Sequence, residues 1–386
     1  MIDQMKQISL QSKLPNTEQS IFSVMSQMAN AYKAINLSQG FPDFPISEEL
    51  IMLANKYMRD GYNQYAPAAG VLPLKEVLAK KIEKQYDRKV DPKSEITVTA
   101  GATQALFTTI MALIKEGDEV IVFEPVYDSY LPAIKLAGGM PRPIALKGPD
   151  YKIPWDEVKN KISFKTRMII LNTPHNPCGS VISEEDIEQL KIITDGNDIL
   201  ILSDEVYEHI IFDEEKHLSI LGTELYRRSI CVYSFGKVLH ATGWKMGYCV
   251  APEYLMKEIF KVHQYNVFSV NAPIQHAIAE YYKEEDHYLG ISSFYEKKRD
   301  LFLESIKESK FTFIPSAGTY FQILKYDEIS SKSDVEFAEE LVKDHGIACI
   351  PVSAFYSSKV KENALRFCFA KEDITIEKAG KILCKI

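Results

Sequence analysis

The sequence Ser-Phe-Gly-Lys at residues 234–237, which ends in Lys237, directly follows an apolar, strand-like run at residues 230–233. A lysine at the end of a buried strand is costly unless it has a function, because burial disfavours its charged form. In a dry pocket the amine loses its proton more readily, and it can then attack a carbonyl to form a Schiff base. Lys237 is therefore the first candidate for a catalytic residue.

Two earlier strand-like runs also end in polar side chains, which include Asn176 after the first and Asp204 and Tyr207 after the second. In open α/β sheets, ligands bind beyond the carboxyl ends of the strands. We therefore expect Asn176, Asp204 and Lys237 to line one crevice, although they are far apart in sequence. Arg366 adds a guanidinium, which matches a carboxylate with two parallel hydrogen bonds.

This set of groups suits pyridoxal phosphate and an amino-acid substrate. The aldehyde of the cofactor requires a lysine, and its ring nitrogen stays protonated beside a buried carboxylate such as Asp204. Asn176 and Tyr207 can donate to its phenolate oxygen, and Arg366 can hold the substrate carboxylate. A phosphate requires backbone N–H groups at a helix start, hydroxyls and a cation. The predicted phosphate and ring contacts are Gly101, Ala102, Thr103, Ser234, Lys245 and Tyr127.

The elements that must position these residues follow an α/β pattern. Continuous apolar runs predict strands that are covered on both faces, as in a parallel sheet flanked by helices. These runs lie at 96–99, 120–123, 168–171 and 199–202, with helices predicted at 103–115 and 130–137 and another that begins at Ser183. The last hundred residues predict a long helix at 282–309, strands near 311–313, 320–324 and 364–369, and a helix near 335–343.

These patterns predict an α/β fold in two domains. We expect a large, mainly parallel-sheet domain that binds the cofactor at residues 46–285. A small α+β domain would combine residues 1–45 with residues 286–386.

Composition narrows the functional class. The chain has 386 residues and a net charge of −8, without the clustered basic surface that nucleic-acid binding needs. No apolar run approaches the ~20 residues that span a bilayer, and the polar N-terminus lacks a signal core, so we expect a cytoplasmic protein. The six cysteines form no CxxC pair, and the dispersed histidines predict no metal site.

Seven ordered motifs give nearly the whole chain a resemblance to class I/II aminotransferases, which are fold-type-I pyridoxal-phosphate enzymes. Within that family it is similar to the kynurenine/glutamine transaminase group and to bacterial methionine aminotransferases. The motifs lie at residues 37–43, 63–65, 101–103, 172–177, 203–207, 234–237 and 365–369.

The resemblance implies transfer of the amino group of an L-amino acid to a 2-oxo acid by a ping-pong mechanism, with Lys237 as general base and acid. It also implies that the Gly40 backbone contacts the substrate carboxylate and that Phe41 and Phe355 lie near the substrate side chain. Tyr65 would reach the phosphate of a neighbouring subunit, which implies a homodimer with shared active sites. Many members carry arginine where Lys245 stands. Lysine supplies the same positive charge but lacks the planar guanidinium that can donate two parallel hydrogen bonds.

The resemblance suggests methionine as the amino donor, with aromatic amino acids or glutamine as further candidates. An aromatic pocket formed by Phe41, Tyr62 and Phe355 would favour such side chains over acidic ones. Two alternatives remain open. The same site could catalyse β-elimination from cysteine S-conjugates, or the chain could be a non-catalytic regulatory module that binds the cofactor.

Overall fold

The structure is a computed structural model that describes residues 10–15, 17 and 19–386. What was predicted for residues 1–9, 16 and 18, at the start of the expected small domain, lies outside the described residues. The strands are β1 (Ile35–Asn36), β2 (Ile96–Thr99), β3 (Glu119–Glu124), β4 (Met140–Ala145), β5 (Thr166–Asn172), β6 (Leu200–Asp204), β7 (Ser229–Ser234), β8 (Gly247–Val250), β9 (Phe321–Lys325), β10 (Ile347–Ala348), β11 (Ile350–Pro351) and β12 (Ala364–Cys368).

The α-helices alternate with these strands through the middle of the chain. They are α1 (Ile21–Tyr32), α2 (Glu48–Arg59), α3 (Leu72–Tyr86), α4 (Ala102–Leu113), α5 (Tyr130–Leu136), α6 (Trp155–Lys161), α7 (Glu184–Thr194), α8 (Phe235–Val238), α9 (Glu253–Asn266), α10 (Ala272–Tyr281), α11 (Asp286–Leu289), α12 (Ile291–Ser305), α13 (Asp334–His345) and α14 (Asp373–Leu383). Within the described part of the chain, no helix has both the length and the apolar composition needed to cross a membrane.

The large sheet has the strand order β2-β8-β7-β6-β5-β3-β4. Neighbouring strands are parallel, except that β8 runs antiparallel to both β2 and β7. The α/β fold is confirmed, and the predicted strands at 96–99, 120–123, 168–171 and 199–202 all lie in this sheet. Their apolar side chains are buried because helices cover both faces.

Local sequence explains where several helices begin and end. Ser183 accepts a hydrogen bond from the Asp186 N–H, and the Asp186 side chain accepts from the Ser183 N–H, so a capping box starts α7 as predicted. The helix predicted at 282–309 is interrupted at Gly290, which separates α11 from α12. The strand predicted at 311–313 is reduced to one bridge between Thr312 and Lys325.

The two ends of the chain meet in a second region. Strands β11, β12 and β9 form an antiparallel sheet, while β1 pairs in parallel with β10 through Ile35 and Ile347. Helix α1 packs on α13 beside them. This pairing joins the N-terminal segment to the C-terminal elements, and the domain limits at residues 45/46 and 285/286 stay a proposal.

Candidate active site

A cavity of about 240 Å³ opens beyond the carboxyl ends of β5, β6 and β7. Parallel strands direct their carboxyl ends to one edge of the sheet, so residues that are distant in sequence meet there. Most of the predicted site residues line this cavity: Gly40, Gly101, Ala102, Thr103, Tyr127, Asn176, Asp204, Tyr207, Ser234, Lys237, Lys245 and Arg366.

Lys237 lies in α8, the short helix that directly follows β7. Its Nζ donates to the Tyr320 hydroxyl at 2.9 Å and to the Gly40 carbonyl at 3.3 Å. Burial lowers the pKa of the Lys237 amine to about 8. The neutral, nucleophilic form of this amine is therefore far more abundant near neutral pH than that of an ordinary lysine.

Asp204 ends β6 and is buried at the floor of the cavity. Its Oδ2 accepts from the Tyr130 hydroxyl at 2.5 Å, and its Oδ1 accepts from the Val206 N–H at 3.4 Å. Burial raises the pKa of Asp204 to about 6, an effect that the hydrogen bonds from Tyr130 and Val206, and then the charge of Lys237, partly offset. A buried carboxylate of this kind favours a cationic N–H donor in the cavity beside it.

Arg366 projects from β12 and is only 1% exposed. Its Nη1 donates to Asn176 Oδ1 at 2.9 Å and its Nη2 donates to the Ser38 carbonyl at 2.7 Å. The guanidinium lies 3.9 Å from the centre of the Phe321 ring, and burial lowers its pKa to about 10. Its Nε–H has no acceptor among the described residues. A fixed, desolvated guanidinium with an unpaired donor is suited to bind a carboxylate.

The start of α4 brings further hydrogen-bond donors and a lysine to the same cavity. Gly101 adopts a φ of +80° before the helix, and no side chain caps the first turn. The N–H groups of Ala102 and Thr103 have no acceptor within the described part of the chain. Lys245 Nζ lies 3.3 Å from where a Gly101 Cβ would stand, so a cation adjoins these donors. Backbone N–H groups at a helix start, together with an ammonium, favour a phosphate.

Two aromatic side chains flank the floor of the cavity. The Tyr127 hydroxyl lies 3.4 Å from Thr103 Oγ1, and its ring meets Tyr130 edge-to-face at 5.7 Å. The Tyr207 ring meets Tyr320 edge-to-face at 5.2 Å, and burial raises the pKa of Tyr207. The Tyr207 phenol therefore keeps its proton and can act as a hydrogen-bond donor.

The aromatic pocket predicted from Phe41, Tyr62 and Phe355 does not form within one chain. Phe41 is 44% exposed in a separate surface groove, where Lys371 Nζ donates a hydrogen bond to the Phe41 carbonyl at 2.8 Å. Tyr62 packs against Tyr57 and a histidine on α10. Phe355 is buried behind Arg366, with its ring centre 5.3 Å from the guanidinium carbon, and does not line the cavity.

Tyr65 also lies away from this chain's own cavity. It is 82% exposed and packs edge-to-face against Phe268, which is 57% exposed. This placement leaves the Tyr65 hydroxyl without a role in the cavity of its own chain.

Sequence reasoning missed several residues that contact the predicted ones: Phe22, Tyr130, Tyr320 and Phe321. Tyr320 and Phe321 belong to a run that reads only as a buried strand. Tyr130 begins a helix and carries no motif of its own. The sequence alone gives no sign that these residues belong to the site, because an aromatic residue in an apolar run is normally a core residue. Their role can be recognised only from the side chains that they contact in the structure.

Comparisons with known proteins agree with this geometry. Residues 32–382 match the family model for aminotransferase class I and II. The chain is 46% identical to the methionine aminotransferase of Escherichia coli over 97% of both chains. It is 32% identical to mouse kynurenine–oxoglutarate transaminase 1 over 93% of both.

A solved Escherichia coli structure, reported with a methionine aminotransferase function, superposes with a TM-score of 0.97. The two chains are 45% identical, and the superposition covers 98% of this chain and 100% of the other. The family match at residues 32–382 includes both the large sheet and the C-terminal strands. The chain therefore belongs to the class I and II aminotransferase family and is an aminotransferase.

Proposed function

We propose that the cavity binds pyridoxal phosphate and transfers the amino group of an L-amino acid to a 2-oxo acid in two half-reactions. The observation that carries this proposal is the meeting of Lys237, Asp204 and Arg366 in one cavity. An amine with a lowered pKa, a buried carboxylate and a desolvated guanidinium are three groups that this chemistry needs.

The residues present fit the cofactor at each of its polar groups. The uncapped start of α4, with Ser234 and Lys245, suits the phosphate. Lys237 supplies the amine for the aldehyde, and Asp204 supplies the acceptor for the ring N–H. Asn176 and Tyr207 suit the phenolate oxygen, and Tyr127 suits the face of the ring. When bound, the cofactor withdraws electrons from the substrate Cα and so makes its proton acidic.

The other steps depend on residues of this chain. Arg366 and the Gly40 backbone would hold the substrate carboxylate, which orients the Cα–H bond toward Lys237. The Lys237 amine would then accept the Cα proton as general base and deliver it, as general acid, to the carbon of the former cofactor aldehyde. Its pKa of about 8 suits both directions at neutral pH.

We assign the amino donor to the methionine class, with aromatic amino acids and glutamine as further donors. Support comes from the methionine aminotransferase relative and from apolar residues in the cavity wall: Phe22, Leu106, Val206, Met246 and Phe321. Among the described residues that line the cavity, Arg366 is the one arginine. A second carboxylate on the substrate would therefore lack a guanidinium partner, which disfavours aspartate.

We further propose a homodimer in which Tyr65 reaches the phosphate of the partner subunit. An 82% exposed tyrosine beside a 57% exposed phenylalanine is expected where another subunit covers both. Mixing inactive Lys237→Ala chains with inactive Tyr65→Ala chains tests this arrangement. Recovered activity in the mixture supports shared sites, whereas sites contained within one chain would give none.

The visible spectrum of the purified protein, recorded before and after methionine is added without a 2-oxo acid, tests the main proposal. We expect loss of the visible absorption of the bound cofactor and release of one equivalent of 2-oxo acid. The Lys237→Ala variant should give neither change. A wild-type protein that takes up no added cofactor, or whose spectrum no amino acid alters, would contradict the proposal.

A further inference from the structure

The hydroxyl of Tyr320 joins the Lys237 amine to the N-terminal segment. It donates to the Gly40 carbonyl at 2.6 Å and accepts from Lys237 Nζ at 2.9 Å. Tyr320 is fully buried just before β9, and its pKa is raised by burial, so the phenol stays protonated. Its single proton is therefore committed to Gly40, which leaves an oxygen lone pair facing Lys237.

This arrangement fixes the orientation of the lysine amine. A neutral amine has two N–H groups and one lone pair. The Tyr320 oxygen and the Gly40 carbonyl, at 2.9 and 3.3 Å, are both acceptors and can engage both N–H groups. The lone pair then takes the remaining tetrahedral direction, which lies away from both acceptors, and Lys237 itself lines the cavity.

We propose that Tyr320 is a positioning residue, which holds the two N–H groups of Lys237 together with Gly40 and so aims the amine lone pair at the substrate Cα proton. This inference rests on the proposed aminotransferase function and adds a residue to it. The proton would move from Cα to Lys237 Nζ and from there to the carbon of the former cofactor aldehyde, and Tyr320 keeps its own proton throughout.

The ring of Tyr320 is held independently of its hydroxyl. It meets Tyr207 edge-to-face at 5.2 Å and lies 5.5 Å from the Tyr295 ring. Removal of the hydroxyl alone should therefore leave the packing intact. Tyr295 provides a matched control, because its buried hydroxyl has no partner among the described residues.

The first test compares Tyr320→Phe and Tyr295→Phe with the wild type, using methionine that carries deuterium at Cα. In Tyr320→Phe we expect kcat to fall about tenfold or more, KM to stay within about twofold, and the deuterium isotope effect on kcat to rise. Slower proton transfer produces that rise, whereas a smaller folded fraction would not. Tyr295→Phe should match the wild type in all three quantities.

A second readout uses the cofactor-free protein and does not depend on turnover. Acetic anhydride labelling of Lys237 against pH, quantified on its peptide by mass spectrometry, gives the midpoint at which the amine becomes neutral. An acceptor favours the ammonium form, so Tyr320→Phe should lower this midpoint by about half a pH unit or more. The other ionisable groups facing Lys237 are unchanged: Asp204, Tyr207, Lys245, Arg366 and Cys368.

Two results overturn the inference. One is a wild-type isotope effect in a folded, cofactor-loaded Tyr320→Phe enzyme, and the other is an unchanged labelling midpoint. If the wild type converts no amino acid at all, the proposed function fails, while the labelling midpoint still decides the contact between Tyr320 and Lys237.

Discussion

Lys81 and Glu208 form an ion pair in the protein interior, with 2.5 Å between Nζ and Oε1 and side-chain exposures of 2% and 4%. Glu208 also accepts from the Tyr86 hydroxyl at 2.5 Å, and Lys81 donates to the Tyr248 hydroxyl at 3.1 Å. Burial alone would raise the pKa of Glu208, but the charge of Lys81 brings it down to about 2. Glu208 directly follows Tyr207 in sequence, so the Lys81–Glu208 ion pair helps to fix the position of the segment that lines the cavity.

We expect Lys81→Met to lower the free energy of unfolding by about 3–5 kcal/mol, because it leaves the Glu208 carboxylate buried without a counter-charge. Urea unfolding of the cofactor-free protein measures the change. The double variant Lys81→Met with Glu208→Leu should recover most of the loss, since no charge is then buried alone. A single variant as stable as the wild type would contradict this account of the pair.

Gly247 permits strand β8 to pass beside the start of α4. A Cβ at this position would lie 2.7 Å from Ala102 N and 2.8 Å from Tyr233 O, and backbone atoms cannot move aside as a flexible side chain can. Gly247→Ala should therefore destabilise the protein by about 1–3 kcal/mol and weaken phosphate binding at α4.

Gly243→Ala is the matched control, because nothing lies within 4 Å of its Cβ position. Thermal unfolding with and without inorganic phosphate separates the two effects. Equal behaviour of the two alanine variants would show that the close approach of β8 to α4 has no energetic weight.

Asp204 should make the stability of the cofactor-free protein depend on pH. Its folded pKa of about 6 lies above 3.8, the usual pKa of an aspartate. A raised carboxyl pKa gives a stabilising contribution that is complete below the unfolded pKa and is lost as pH rises through about 6. The cost of the buried charge above that pH is about 3 kcal/mol.

Asp204→Asn removes this titration. The variant should be more stable than the cofactor-free wild type at pH 8, and the difference should shrink as pH falls toward 4. Melting temperatures of both proteins across this range provide the measurement. A constant difference over the range would exclude Asp204 as the titrating group.

Arg366→Lys tests the carboxylate contact. Lysine keeps the charge but loses the planar fork and the stacking on Phe321, so kcat/KM for methionine should fall about 100-fold, or roughly 2.7 kcal/mol. The amine 3-methylthiopropylamine, which lacks the carboxylate, is the control substrate. Its turnover, however slow, should change little between wild type and variant, whereas an equal loss for both substrates would indicate a general disturbance of the site.

The apolar runs that became β5 and β6 were readable because a strand covered on both faces is apolar throughout, and the polar residues after them led to Asn176 and Asp204. Strand β4 escaped prediction because Pro141 and Pro143 break the pattern, which an edge strand tolerates. Strand β8 was not predicted because it has only four residues, too few to show a clear hydrophobic pattern after a glycine-containing turn.

The fine geometry of the site depends on tertiary contacts that no local pattern encodes. Phe41 belongs to a readable motif, yet the bond from Lys371 to its carbonyl fixes it in an outer groove. Tyr320 carries no motif, yet its hydroxyl contacts the central amine. Sequence spacing identified which strand ends converge, but the atoms in contact are decided by side chains from opposite ends of the chain.

Tyr320 and Phe321 are consecutive residues that contact Lys237 and Arg366, respectively. A Gly40 Cβ would also lie 2.8 Å from the Phe321 ring, so Phe321 leaves no room for a side chain at position 40. With the roles proposed above for Lys237, Arg366 and Tyr320, substrate range and turnover are mechanically coupled. A change in β9 that admits a bulkier amino acid would also displace the acceptor of the catalytic amine, so redesign of specificity is better directed at α1 and Phe22 than at β9.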